Sequence, residues 1–179
     1  MAAGKSLTLV AVAGAGMILA AGCGSGSHDP SAGPLGPLEA DGNACLQDNR
    51  AAVVTDGWPY VRDNSKTPAV ITGLALRNPR GMRLITVYAV PTTVGYGVAP
   101  GYPPAKGSPV NWALHRNAVG AVIRHASERG QITDLLFVIR ITAPRASASG
   151  VEISYRAGGQ DYQLRTPFGL IVVAPHKNC

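Results

Sequence analysis

The chain has 179 residues, with 16 Lys and Arg against 10 Asp and Glu and a formal charge of +6. It holds no G-x-S-x-G, H-E-x-x-H or P-loop pattern, which removes the commonest serine-hydrolase, zinc-peptidase and nucleotide-binding signatures. No nucleic-acid recognition motif occurs, and Met82 is the only methionine beyond residue 22, so a methionine-rich copper site is excluded.

At the N-terminus Lys5 precedes an apolar run over residues 7–21, and Ala20-Ala21-Gly22 leads into Cys23. That run is shorter than the roughly 20 residues a bilayer-crossing helix needs. A basic start, a short apolar stretch and small residues at its end form the layout of a cleavable export signal. The segment Leu19-Ala20-Ala21-Gly22-Cys23 resembles the lipobox of bacterial lipoproteins, with its leucine one place further from the cysteine than usual. The resemblance implies that residues 1–22 are a signal peptide and that Cys23 is diacylated and becomes the new N-terminus. It also implies a protein held on the outer face of the cell membrane. The alternatives are a free secreted protein cut nearby and an uncleaved anchor. One acyl chain binds a membrane only marginally while two hold it stably, so Cys23 would carry the whole attachment.

Residues 23–44 read as a lipidated tether, because 24–44 are rich in Gly, Pro and Ser and lack an apolar period. As a flexible coil such a stretch spans roughly 25 Å. Three cysteines, Cys23, Cys45 and Cys179, are an odd count in an exported protein. With Cys23 acylated, Cys45 and Cys179 remain as an even pair in an oxidising compartment, where a disulfide persists. Two free thiols are the alternative.

Residues 45–179 have the length of one domain with a core, and their pattern is β. The segments 52–55 and 58–62 are weak strand candidates. Residues 69–77 and 83–90 are stronger, joined by Asn78-Pro79-Arg80-Gly81, a turn of the expected chemistry. The stretch 91–109 (PTTVGYGVAPGYPPAKGSP) is a long Gly/Pro/Tyr loop, and loops of that length are usually functional or irregular. Tyr96, Tyr102 and Lys106 make it the first place to look for a binding site; an unstructured surface loop or irregular edge strand is the competing reading. Residues 110–114 are another weak strand. The stretch 118–127 fits a helix face in part, but Gly120 argues for a strand. Residues 134–142 place Leu135, Phe137, Ile139 and Ile141 on one face. Val151, Ile153 and Tyr155 alternate with Glu152, Ser154 and Arg156, then Gly158-Gly159 leads into a second alternating run through Tyr162 and Leu164, a hairpin signature. Residues 168–174 form a last strand, apolar on both faces. Seven or eight short strands with turns between them predict an immunoglobulin-like antiparallel β-sandwich.

Charge is uneven along the mature chain. Residues 23–76 sum to −3 and residues 77–179 to +8, mostly arginine. Arginine forks onto carboxylates and phosphates better than lysine does, so Arg77, Arg80 and Arg83 are candidates for a face that takes an anionic partner. A solvated surface with internal salt bridges is the plainer alternative. The seven carboxylates of residues 45–179 are scattered, with most beside an arginine or on a wet face. His125 and Glu128 could share a helical face, but no second pair completes a metal site. No catalytic residue, metal ligand or cofactor is expected.

The lipobox at 19–23, the Ala/Gly/Pro/Arg bias and the run VEISYRAGGQDYQL closing on Cys179 together resemble small lipoproteins and secreted immunoglobulin-like antigens of high-GC Gram-positive (actinobacterial, mycobacterial-type) envelopes. The resemblance implies a fold and an address, not a reaction. The expected function is a non-enzymatic binding or structural module for a protein or an anionic envelope component, with no nucleic acid involved. A lipid or glycolipid carrier with an apolar pocket is the alternative, and an envelope hydrolase ranks last.

Overall fold

The computed structural model describes residues 33–37, 42–48, 50–93, 95–125 and 132–179. Cys23, His28 and Glu128 lie outside them. The described residues hold fourteen strands: β1 (Leu35–Pro37), β2 (Asn43–Leu46), β3 (Val53–Asp56), β4 (Tyr60–Asp63), β5 (Ala69–Leu76), β6 (Met82–Thr92), β7 (Val98–Pro100), β8 (Arg116–Asn117), β9 (Val122–Ile123), β10 (Ile132–Ile141), β11 (Ala146–Ala148), β12 (Val151–Ala157), β13 (Gln160–Thr166) and β14 (Gly169–Val172). One 3-10 turn, Trp112–Leu114, stands where residues 110–114 predict a strand. The fold is mainly β, and its sheets pack as a sandwich.

The larger layer is a seven-stranded sheet centred on β10. One flank of β10 pairs with β6 over its whole length, from Ile132↔Thr92 to Ile141↔Met82. Its other flank pairs first with β4 and then with β3. β3 and β4 therefore behave as one strand interrupted at Gly57-Trp58-Pro59. Proline cannot donate to a ladder, and the Trp58 N–H turns to Asp56 Oδ1 at 3.0 Å. β7 extends the sheet beyond β3, β1 beyond β4, and β8 beyond β6. The facing layer consists of a four-stranded sheet, β13-β12-β5-β9, and a three-stranded sheet in which β14 lies between β11 and β2.

Side chains alternate across these sheets as strand geometry requires. Val54, Leu135, Phe137 and Ile139 point inward from the large sheet onto Ile71, Ile153, Tyr155 and Leu170 of the other layer, forming one buried core. The hairpin of β12 and β13 has the predicted register, with Ala157↔Gln160 flanking Gly158-Gly159. Tyr155 is fully buried and stacks on Tyr162, with ring centroids 5.4 Å apart.

Three further expectations change. The stretch read as tether supplies β1, whose Leu35 is buried in the core and whose N–H is held by the Tyr155 hydroxyl at 3.3 Å. The sandwich thus begins ahead of residue 45. Asn78-Pro79-Arg80-Gly81 joins β5 to β6 as expected, and it carries the chain from one layer to the other. Among the described residues of the 118–127 stretch, 118–125, only Val122–Ile123 is strand; Val119 sits exposed in a turn that ends on Gly120, whose φ is +85°. Strand β14 is shorter than residues 168–174 but apolar on both faces, since it lies between two strands against the core.

Candidate functional site

The arginines singled out from the sequence separate into different roles. Arg77 ends the β5 segment half-buried, and its Nη1 donates to the Thr166 carbonyl at 3.4 Å. Arg80 is exposed on the crossover between layers, whose backbone is pinned to Ser147 by bonds of 2.7 and 2.8 Å. Beside it, Asn43, Asn78, Pro79, Ser147 and Ser149 line an open groove of about 570 Å³. Arg83 is exposed on β6, directly opposite Arg140 of β10. The sequence reading did not single out Arg140, because a cross-strand pair becomes visible only when the register is known. Like charges directly opposite one another in a sheet are destabilising.

Nothing acidic relieves that pair. The ion pairs of the described residues are Arg50–Asp48, Arg156–Asp161 and Arg165–Glu152, at 2.8 to 3.0 Å. The last two lie on the solvent face of the β12–β13 hairpin. Arg80, Arg83 and Arg140 have no acidic partner among the described residues. Lys106 is exposed on the segment between β7 and the 3-10 turn and also lacks one.

The 91–109 stretch is largely ordered against the outer face of the large sheet. Its first two residues continue β6, and residues 98–100 form β7. The chain then crosses the sheet, so that Val90, Val110 and Leu136 make a second small core under Tyr88, Tyr96 and Trp112. Tyr102 stacks on Tyr88 with centroids 5.8 Å apart, and their hydroxyls bond at 2.9 Å. Trp112 meets Tyr88 edge-on at 5.2 Å and lies flat on His115 at 4.1 Å. Of the two tyrosines expected to bind, Tyr102 is exposed while Tyr96 turns inward. Spacing alone could not pick out Tyr88, Trp112 and His115, which come from three separate segments.

Tyr96 sits over a buried carboxyl. Its backbone N–H donates to Asp134 Oδ2 at 2.9 Å, and Asp134 Oδ1 has no hydrogen-bond partner. Asp134 is fully buried, and that burial pushes its pKa up to about 8, with a smaller contribution from Asp56. Asp56 is raised to about 7, again by burial, against the opposing bond from the Trp58 N–H. Both stand apart from the wet-face placement expected for the domain's carboxylates. Gly57 permits the arrangement: a Cβ there would lie 2.6 Å from Tyr96 Cβ and 3.0 Å from Asp134 Oδ1. Among the described residues no three His, Cys, Asp or Glu side chains converge as metal ligands.

Cys45 and Cys179 are joined as a disulfide, with Cα atoms 6.1 Å apart. The bond ties β2 to the chain beyond β14, and those two strands pair in parallel through Ile171↔Cys45. No family model matches the chain, and no curated protein matches it.

Proposed function

We propose that this chain is an envelope lipoprotein, anchored through Cys23, whose immunoglobulin-like sandwich binds an anionic envelope partner without catalysing a reaction. The observation that carries the reading is that Arg80, Arg83 and Arg140 are exposed and, among the described residues, without carboxylate partners, with Arg83 and Arg140 held side by side across neighbouring strands. Such a cluster is most stable when an external anion neutralises it, and guanidinium forks suit phosphate and carboxylate oxygens. Arg77 takes a structural part in this scheme, since its guanidinium already serves the Thr166 carbonyl.

The test has two arms. Cys23→Ser should move the protein from the membrane fraction to the soluble fraction. Arg80→Gln, Arg83→Gln and Arg140→Gln combined in the acylated protein should weaken retention on immobilised polyphosphate and on vesicles containing phosphatidylglycerol by about a hundredfold, given roughly 1 kcal/mol per basic residue at an anionic surface. Wild-type retention should fall as salt rises. Equal retention of the variant at low salt on both materials would remove the arginines from binding.

A further inference from the structure

The four-stranded sheet ends on β13, which bonds to β12 alone among the described strands. Every other described strand with a single neighbour is two to four residues long. β13 runs for seven residues, Gln160–Thr166. Sheet edges are ordinarily blunted by shortness, proline, a bulge or a covering loop. β13 contains no proline and keeps an unbroken register against β12. Near its start, Gln160 and Tyr162 face Pro34, Ser65 and Thr67 across an open groove of about 450 Å³. Gly33 meets the Tyr162 ring on the core side, beside the Tyr155 hydroxyl.

The turn fixes which backbone groups this edge offers. Gly158 and Gly159 have φ of +57° and +81°, as a two-residue hairpin with a primed turn requires. The flanking pair Ala157↔Gln160 exchanges hydrogen bonds, and bonded pairs alternate with non-bonded ones along an antiparallel ladder. The non-bonded positions on β13 are therefore Asp161, Gln163 and Arg165. Their N–H and C=O groups point away from β12, and no described backbone group bonds them.

The order of charges at those three positions selects the strand that fits. A second β13 laid antiparallel can meet the first in several registers. Asp161 against Asp161, or Arg165 against Arg165, sets like charges face to face, which destabilises a sheet. The register centred on Gln163 does the reverse. Gln163 faces its counterpart, Asp161 faces Arg165 of the other copy at both ends, and all three outward residues of each edge are engaged. On the solvent face, the Glu152–Arg165 pair of one copy then continues into the Asp161–Arg156 pair of the other, a row of alternating sign. Arg165 has a donor left for this contact. Its Nε donates to Glu152 at 3.0 Å and its Nη2 to Gln163 at 2.9 Å, while Nη1 has no partner among the described residues. On the core side, half-buried Tyr162 comes opposite Leu164 of the other copy.

We infer that β13 is a self-association edge, on which two copies of this chain pair antiparallel about a twofold axis at Gln163 and join their four-stranded sheets into one. An unrelated strand would need an acid and a base at the same spacing and in the same order; a second copy carries them necessarily. Arg80, Arg83 and Arg140, on which the proposed function rests, take no part in this pairing.

The test uses the full chain. Gln163→Cys puts a thiol on the axis, where a hydrogen-bonded antiparallel pair holds its Cα atoms about 5.5 Å apart, within the span of a disulfide. Asp161→Cys is the control, because position 161 of one copy lies four residues, roughly 13 Å along the strand, from position 161 of the other. On mild oxidation Gln163→Cys should run at twice the chain mass on a non-reducing gel. Asp161→Cys should not, although Asp161 is the more exposed of the two. Adding Arg165→Glu to Gln163→Cys should raise the protein concentration at half-crosslinking about tenfold, since both charge pairs between the copies are lost. In the unsubstituted chain, the amides of Asp161, Gln163 and Arg165 should exchange with deuterium more slowly as protein concentration rises. Equal crosslinking of the two cysteine variants, or free exchange of these amides at every concentration, would overturn the pairing. A crosslink from Gln163→Cys to a different protein would overturn the second copy as the occupant of the edge.

Discussion

Asp134 decides more about the outer face than any exposed residue does. Its carboxyl anchors the Tyr96 backbone and lacks any cationic neighbour, so burial favours the neutral acid. In the unfolded chain the same group titrates near its ordinary value, so between about pH 4 and pH 8 the folded protein retains a proton that the unfolded chain has released. Stability from this source is complete at low pH and is lost as pH rises through the folded value. Asp56 acts in the same direction, over a window closing near 7. The melting temperature should therefore fall between about pH 5 and pH 8, and Asp134→Asn should flatten the fall, since its amide oxygen can still accept from Tyr96. A wild-type melting temperature that rises over this interval would contradict the burial of both carboxyls. None of this was legible locally: Asp134 opens a strand with an apparent wet face, and it becomes dry only because a segment some forty residues earlier folds across it.

At the scale of elements, the sequence revealed those features whose signal is local. The β12–β13 hairpin followed from alternation and Gly158-Gly159, and β5, β6 and β10 followed from their apolar period. Short pieces carry no such signal, because two or three residues show no period at all. That is the case for β8, β9 and the 3-10 turn, which owe their places to the edge of β6 and to β5. β1 was hidden by its Gly/Pro surroundings, although Leu35 is among the most buried residues. The connection from β11 to β12 has a sharper requirement. Gly150 has φ +142°, and a Cβ there would collide with the Thr166 carbonyl, where β12 and β13 meet. Gly150→Ala should cost about 1–3 kcal/mol in unfolding free energy, through a disfavoured backbone and overpacking together. Urea denaturation measures this, and an unchanged midpoint would mean that the crossing has more room than its geometry gives it.

For the whole molecule, cysteine arithmetic foresaw the Cys45–Cys179 pairing, while the facing of Arg83 and Arg140 emerged only from the register. The disulfide closes a loop with a sequence separation of 134. In the chain-entropy picture a loop of that length contributes roughly 4–5 kcal/mol, so reductant should shift the urea midpoint strongly downward; coincident curves with and without reductant would show that the pairing adds nothing. The same bond has a mechanical consequence. A pull arriving from the N-terminal side runs along β1 and loads its rungs to β4 in shear. Once β1 slips, slack is released only as far as Cys45, where tension divides between both ends of a covalently closed ring. The near edge of the domain can yield like a fuse while the sandwich behind it keeps its shape.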